Sequence, residues 1–402
     1  MKKIISVLLV FAMVLGFAGC GKKEEPRESV SLTVWVGENY VDVTNEMVKT
    51  FVEANKDKAD FSITVGIESE STAGDTVLTD PTAAADIYTF ADDQLTKLVT
   101  GKAIQPVNDT EYITSNMGEG AVSAASKGGT LYAYPMSATN GYFLYYNKNF
   151  FTEADIQSFN TMAEKAAAAN KAVGFELGNS WYTYGFFKGA GLNCVANDDN
   201  TANVCDWNND TGVKVLQGVL DLVNSGGFVK IDDAGGVQGA KDGTLVATVN
   251  GSWNEKAYQE ALGDGFACAK LPSFKVDGKD VQMGSFAGYK LLGVNPYSKN
   301  VGWAMELAKF MVSEENQLKR FEAVGDGPTN TKAAQDPKVL ASPTIAALAA
   351  QSAYATTQNV TGNYWTPVNT LFEIINQGGT YTDAQLKDLL NTAVEGIVAP
   401  VQ

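Results

Sequence analysis

The chain has 402 residues, enough to bury more than one substantial core, and its 45% apolar and 19% charged content is that of a globular protein. A disulfide-stapled miniprotein and a disordered or fibrous chain are both excluded. There is no histidine, which removes imidazole general bases and histidine metal ligands. The 46 acidic against 30 basic residues, a net charge of −16 and only two arginines (Arg27 and Arg320) make nucleic acid or bidentate phosphate a poor partner.

Met1-Lys2-Lys3 followed by an apolar run over residues 4–17 is a secretory leader pattern, too short to span a bilayer. It ends in Phe17-Ala18-Gly19-Cys20, which resembles a bacterial lipobox with Phe17 in place of the usual Leu. Residues 1–19 are then a lipoprotein signal peptide, and Cys20 is the lipidated, palmitate-bearing N-terminus that anchors the protein on the extracytoplasmic side of the cell membrane. Residues 20–30 form a polar tether reaching roughly 35 Å if extended. Export gives Cys194 and Cys205 two readings, a local disulfide across a turn-rich segment or two free thiols. Asp198, Asp199 and Asn200 between them lack the EF-hand spacing, so a solvated loop is expected and no metal site. Cys268 reads as a small core residue.

Residues 31–36 and 61–67 alternate apolar and polar positions and predict strands, with Val43, Met47 and Phe51 at helical spacing between them. Residues 85–90 predict a third strand. Strand, helix and strand in succession imply parallel pairing and an α/β layered sheet. Further strands are predicted at 131–135, 142–146, 244–250, 266–271 and 289–294, with helices over 158–170 and 213–224. The last third is mostly helical, over 302–312, 314–324, 342–355, 367–376 and 382–397. Two α/β lobes suit this pattern better than one continuous sheet.

Several of the six tryptophans stand beside turn residues, in Asn179-Ser-Trp181-Tyr-Thr-Tyr184, Val249-Asn-Gly-Ser-Trp253 and Thr361-Gly-Asn-Tyr-Trp365. A pyranose offers an apolar C–H face to an aromatic ring and a rim of hydroxyls to amides and carboxylates, so such loops are what a carbohydrate site needs. Taken singly, each Trp reads better as a core residue; three in polar loop contexts of one exported chain turn the reading toward a sugar site.

From Leu32 onward the chain resembles the extracellular solute-binding proteins of bacterial ABC importers and, among them, is similar to the maltose/maltodextrin-binding proteins. The residues that carry the resemblance are Leu32-Thr-Val-Trp-Val, Ala85-Asp-Ile-Tyr-Thr-Phe-Ala-Asp-Asp93, Gly129-Thr-Leu-Tyr-Ala-Tyr-Pro-Met, Tyr145-Tyr-Asn-Lys, Val249-Asn-Gly-Ser-Trp253, Leu271-Pro-Ser-Phe and the block from Asn363-Tyr-Trp365 to Glu395. The resemblance implies a periplasmic-binding-protein-like α/β fold of two lobes, residues 31–138 with 290–330 and residues 139–289 with 331–402, hinged near 137–142, 286–291 and 327–332. It implies a monomer that is not an enzyme, needs no cofactor, captures malto-oligosaccharides by hinge closure and hands them to a permease. By the same likeness Trp181, Trp253 and Trp365 are stacking platforms, with Tyr184 beside Trp181. Phe90 lies beneath the sugar, Asp93 and Glu38 accept its hydroxyls, and Trp35 flanks the first-lobe loop. Asp93 is equally suited to cap the helix that follows it. Asn39, Thr139 and Asn369 stand where relatives carry Lys, Glu and Arg, so the polar rim is less charged. Another oligosaccharide is the alternative ligand, and a glycan-active enzyme the distant one.

Overall fold

The computed structural model describes residues 27–197, 199 and 201–401. The leader, Cys20 and the first part of the expected tether lie outside the described residues, as do Asp198 and Asn200.

Ten strands make up the main sheet. They are β1 (Glu28–Val36), β2 (Ala59–Ile67), β3 (Ile87–Ala91), β4 (Ala133–Asn147), β5 (Ala172–Phe175), β6 (Phe228–Lys230), β7 (Leu245–Gly251), β8 (Phe266–Ala269), β9 (Ser285–Val294) and β10 (Ala355–Thr357). Their order is β6-β5-β7-β4-β9-β3-β1-β2, with β8 added to β4 and β10 to β9. Because β1 begins at Glu28, residues 28–30 of the expected tether are already in the sheet. Strands β1, β2 and β3 pair in parallel, and the Val41–Asn55 helix connects the first two. That helix buries Val43, Met47 and Phe51 at helical spacing against Leu32, Val34 and Ile87.

Two large cores fill the molecule, with a smaller cluster of Phe143, Tyr145, Ala240, Tyr258 and Ala347 beside the second. The first packs Val30, Leu32, Met47, Phe51, Leu98, Leu292 and Leu307; the second packs Leu144, Phe159, Val173, Phe186, Leu216, Phe372 and Leu390. The two-lobe expectation therefore agrees with the packing, yet the backbone sheet runs on from one core to the other. Strand β4 carries it. Predicted from sequence as two strands, 131–135 and 142–146, it is one strand of 15 residues. Its first part, through Gly141, pairs with β9, and from Tyr142 on it pairs with β7 and β8. Ser137 and Thr139 interrupt its apolar alternation, and this reads as a turn in sequence. In the structure they mark the crossing between the cores, where the hydroxyls bond to each other at 3.0 Å.

Strand β9 crosses in the opposite direction. Lys290–Val294 pairs with β3 and Ser285–Ala287 with β10, and its register on β4 slips on either side of Lys290. Arg320 is buried beside the crossing and donates to the carbonyls of Met136 (3.2 Å) and Met311 (3.0 Å). The predicted 342–355 helix is shorter, Pro343–Ser352, because the chain straightens into β10 to cover the exposed edge of β9.

Candidate functional site

The turn after β7 places Trp253. Asn250 Nδ2 donates to Asp233 Oδ1 (2.7 Å), while its Oδ1 accepts from the Gly251 amide (2.7 Å) and from Asn254 Nδ2 (3.2 Å). Tyr145 donates its hydroxyl to the Gly251 carbonyl at 2.9 Å. The indole of Trp253 folds back over Gly251, where a Cβ would stand 2.0 Å from the ring; only glycine leaves that room. The Asn-Gly-Ser-Trp motif is thus a device for laying one indole against the sheet end.

Trp181 comes from the first turn of the Ser180–Gly189 helix, whose N-terminus is held twice. Asn179 Oδ1 accepts from the Trp181 amide (3.1 Å), and Asn369 Oδ1 accepts from the Ser180 amide (2.7 Å). The Trp181 ring lies 5.9 Å from that of Trp253 at 44° and edge-on to Tyr142 at 4.7 Å. Both tryptophans are half-buried. Trp181 Nε1 donates to Gln358 Oε1 at 2.7 Å, and the Gln358 amide also faces the Asp93 carboxyl. Asp93 stands on the Asp92–Gln94 turn after β3, so Gln358 sits between side chains from both halves of the molecule. Burial raises the Asp93 carboxyl to about 6, against the Gln358 amide, which pulls it down. Its neighbour Asp92 is raised to about 7 by burial and then by the charge of Asp93. One oxygen of each carboxylate has no partner among the described residues.

A buried ion cluster lies behind the indoles. Lys290, with its side chain 2% exposed, places Nζ 3.1 Å from Glu70 Oε1 and 3.7 Å from Asp326 Oδ1, and donates to the Tyr40 hydroxyl. The same ammonium lies 5.1 Å from the ring centre of Trp253 and 5.0 Å from that of Tyr40. Tyr40 donates to Asp326 Oδ2 at 2.8 Å, and Thr139 to Asp326 Oδ1 at 3.3 Å. Burial opposes the charge on Lys290, but Asp326, Tyr40 and Glu70 outweigh it and hold its pKa well above the ordinary lysine value.

A carboxyl pair underlies both indoles. Glu176, buried at the end of β5, accepts from Asn179 Nδ2 at 3.2 Å and lies close to Asp233. Burial first, then the Asp233 charge, raises it to about 8. Asp233 also holds Asn250, and the Asn179 that Glu176 accepts from caps the helix of Trp181, so these two carboxyls adjoin both turns.

The structure brings together Trp181, Trp253 and Asp93. Trp365 opens the Trp365–Ile375 helix, half-buried, edge-on to Tyr364 at 4.9 Å and 6.5 Å from Phe286. Glu38 is exposed on the Glu38–Tyr40 turn. Trp35 is half-buried over Gly66 of β2, where a Cβ would come within 3.0 Å of its ring, and makes no ring contact with the indole pair. Two expectations are corrected. Phe90 points into the first core beside Tyr88 and offers no surface to a ligand, because every position of β3 is buried. Tyr184 is buried in the second core, stacked on Phe286 at 3.8 Å and 12°, because it lies on the inner face of its helix. Asn369 spends its acceptor on the Ser180 amide and so acts as a helix anchor. The Cys194–Ala196 and Asn203–Cys205 strands form a hairpin that sets Cys194 opposite Cys205, their sulfurs unbonded in this structure. Sequence reasoning missed Gln358, Lys290, Glu70, Asp326 and Glu176. Of these, Lys290 left a signal, a charged residue inside an apolar strand run.

A cavity of about 450 Å³ runs along the crossing strands, walled by Thr139, Phe286, Tyr289 and Leu348; the indole pair lies outside it. Among the described residues no three or more Cys, Asp or Glu side chains gather as metal ligands, and no helix is long and apolar enough to cross a membrane.

Two outcomes follow. Glu176, Asp92 and Asp93 hold protons in the folded chain at pH values where the unfolded chain has released them, so their stabilisation is full below the ordinary carboxyl range, near pH 4, and is lost as pH rises through about 6 to 8. The melting temperature is expected to fall over that window, and Glu176→Gln to abolish the part of the fall above pH 7; an unchanged profile in the variant refutes the assignment. Lys290→Met leaves Glu70 and Asp326 buried without their cation and is expected to cost roughly 3 kcal/mol in urea unfolding.

Residues 46–347 match the family model described as bacterial extracellular solute-binding protein. The galactooligosaccharide-binding protein of Bacillus subtilis (strain 168) is 26% identical over 421 residues, covering 98% of this chain and 96% of that protein. A solved structure described as "with acarbose" superposes with a TM-score of 0.83 at 31% identity, over 92% of this chain and 99% of the other. The maltodextrin-binding protein of L. casei BL23, solved without ligand, gives a TM-score of 0.77 at 25% identity over 92% and 99%. With the family model covering well over half its length, the chain belongs to the bacterial extracellular solute-binding proteins.

Proposed function

We propose that the protein is the solute-binding component of an ABC sugar importer, anchored to the extracytoplasmic face of the membrane through lipid on Cys20, and that it captures malto-oligosaccharides for delivery to a permease. The observation that carries this reading is the half-buried Trp181–Trp253 pair with Gln358 between it and Asp93, an aromatic surface with a carboxylate at its edge. Each indole face that covers a sugar ring contributes on the order of 1 kcal/mol of stacking and apolar burial. Asp93 and Gln358 supply hydroxyl partners, and contacts to both lobes favour the closed form over the open one. Trp365 and the exposed Glu38 extend the site along a longer glucan. The hydroxyl-seeking amide and carboxylate groups beside the indoles suit a neutral polyhydroxyl polymer. As a monomer, the protein offers the closed shape as the signal its permease reads.

Galacto-oligosaccharides are the second reading, favoured by the curated relative that carries that name. Calorimetry against maltotriose, maltotetraose and a β-galacto-oligosaccharide discriminates between them. Binding of the maltodextrins in the micromolar range, weakened at least tenfold by Trp253→Ala with folding unchanged, is expected. Affinity for the galactoside alone, or affinity untouched by the substitution, overturns the proposal. Cys20→Ser is expected to move the protein from the membrane fraction to the soluble one; retention on the membrane refutes the anchor.

A further inference from the structure

Cys194 and Cys205 face each other across the hairpin of Cys194–Ala196 and Asn203–Cys205. The Asp206 amide donates to the Asn193 carbonyl (3.1 Å), and the Asn197 amide to the Ala202 carbonyl (2.9 Å). Hydrogen-bonded pairs alternate along an antiparallel ladder, so positions 194 and 205 form a non-hydrogen-bonded pair. Side chains are nearest there, and Cα atoms stand about 4.5 Å apart, inside the range of about 4.4 to 6.8 Å that a disulfide spans. Cys194 is fully buried and Cys205 half-buried.

The hairpin holds one particular segment. The Ala196 amide donates to the Asn359 carbonyl at 2.8 Å. Asn203 accepts from the Thr361 amide (2.8 Å) and donates to the Thr361 hydroxyl (2.9 Å) and the Ile397 carbonyl (3.0 Å). Residues 358–365 are therefore strapped to the hairpin. That strap starts with Gln358, which holds Trp181 and faces Asp93, and ends with Trp365.

We infer that Cys194 and Cys205 are joined by a disulfide in the exported protein, and that this bond clamps the hairpin which fixes the 358–365 strap at the site. The inference rests on the export reading, while its readouts need no sugar. The bond forms by exchange with a dithiol oxidoreductase in its disulfide form. The more accessible Cys205 thiolate attacks one sulfur of that disulfide and expels the other as a thiolate. The Cys194 thiolate then attacks Cys205 Sγ and expels the oxidoreductase sulfur. Two electrons pass to the oxidoreductase, which leaves as a dithiol carrying the two protons given up by the cysteines. A closed ring of this kind narrows the loose forms of the hairpin, and the strap loses its freedom with it.

Both cysteines fall in one tryptic peptide, residues 189–214. In full-length protein secreted by its cells and alkylated without reductant, this peptide is expected to be two hydrogens lighter than the reduced form and to take up no label, and after reduction to take up two. Hydrogen–deuterium exchange at 358–365 is expected to speed up at least tenfold in Cys194→Ser/Cys205→Ser, and equally in the wild type treated with dithiothreitol, which serves if the variant does not fold. Cys268→Ser leaves the strap unchanged. Two labels on the unreduced peptide, or the same strap exchange with and without reductant, overturn the inference.

Discussion

An ammonium taken out of water costs several kcal/mol unless its partners are fixed around it, and Lys290 meets that condition with groups drawn from widely separated parts of the chain. Tyr40 and Glu70 come from the first half, Asp326 from the segment after the Glu314–Val324 helix, and the Trp253 face from the second half. The cation is carried by one crossing strand, and Thr139 of the other bonds to the same Asp326. The relation between the two cores is thus written into one charge cluster. The slip of register on either side of Lys290 lets the side chain turn toward its anions while the flanking residues keep their ladder bonds.

The indole pair is built outward from that cluster. Trp253 leans on the cation and on the space left by Gly251, Trp181 on a helix start capped from two directions, and one glutamine stands between the pair and Asp93. No element carries the site alone. Its side chains converge because the turns after β3, β5, β7 and β10 meet at the ends of neighbouring strands, which is where open α/β sheets place their ligands.

Periodicity revealed the α/β class, the parallel first three strands and the Val41–Asn55 helix, because each buries one face on one core. It failed at β4, where Thr139 is polar for the sake of Asp326 and Gly327, more than a hundred residues away. It also missed β10, whose three residues serve as an edge cover and have no pattern of their own. In the candidate site, Trp181 and Trp253 were legible because turn residues beside an aromatic are visible in sequence, whereas Asp93 came from the family resemblance alone. Phe90 and Tyr184, expected at the site from the resemblance, are core residues, since exposure depends on which face of the element meets the sheet. Gln358 stands in an unremarkable polar stretch, and its place between an indole and a carboxylate is a product of the fold alone.

Histidine is the side chain that ordinarily changes charge near neutrality, and this chain has none. Glu176, raised to about 8, and Asp92, raised to about 7, take over that range. The formal charge of −16 counts both as ionised, whereas at pH 7 the folded protein keeps Glu176 largely neutral. The ground beneath the two indoles is thereby less anionic than the composition implies. An acidifying environment leaves it neutral, and an alkaline one places a new negative charge directly under the turns that carry the aromatic pair.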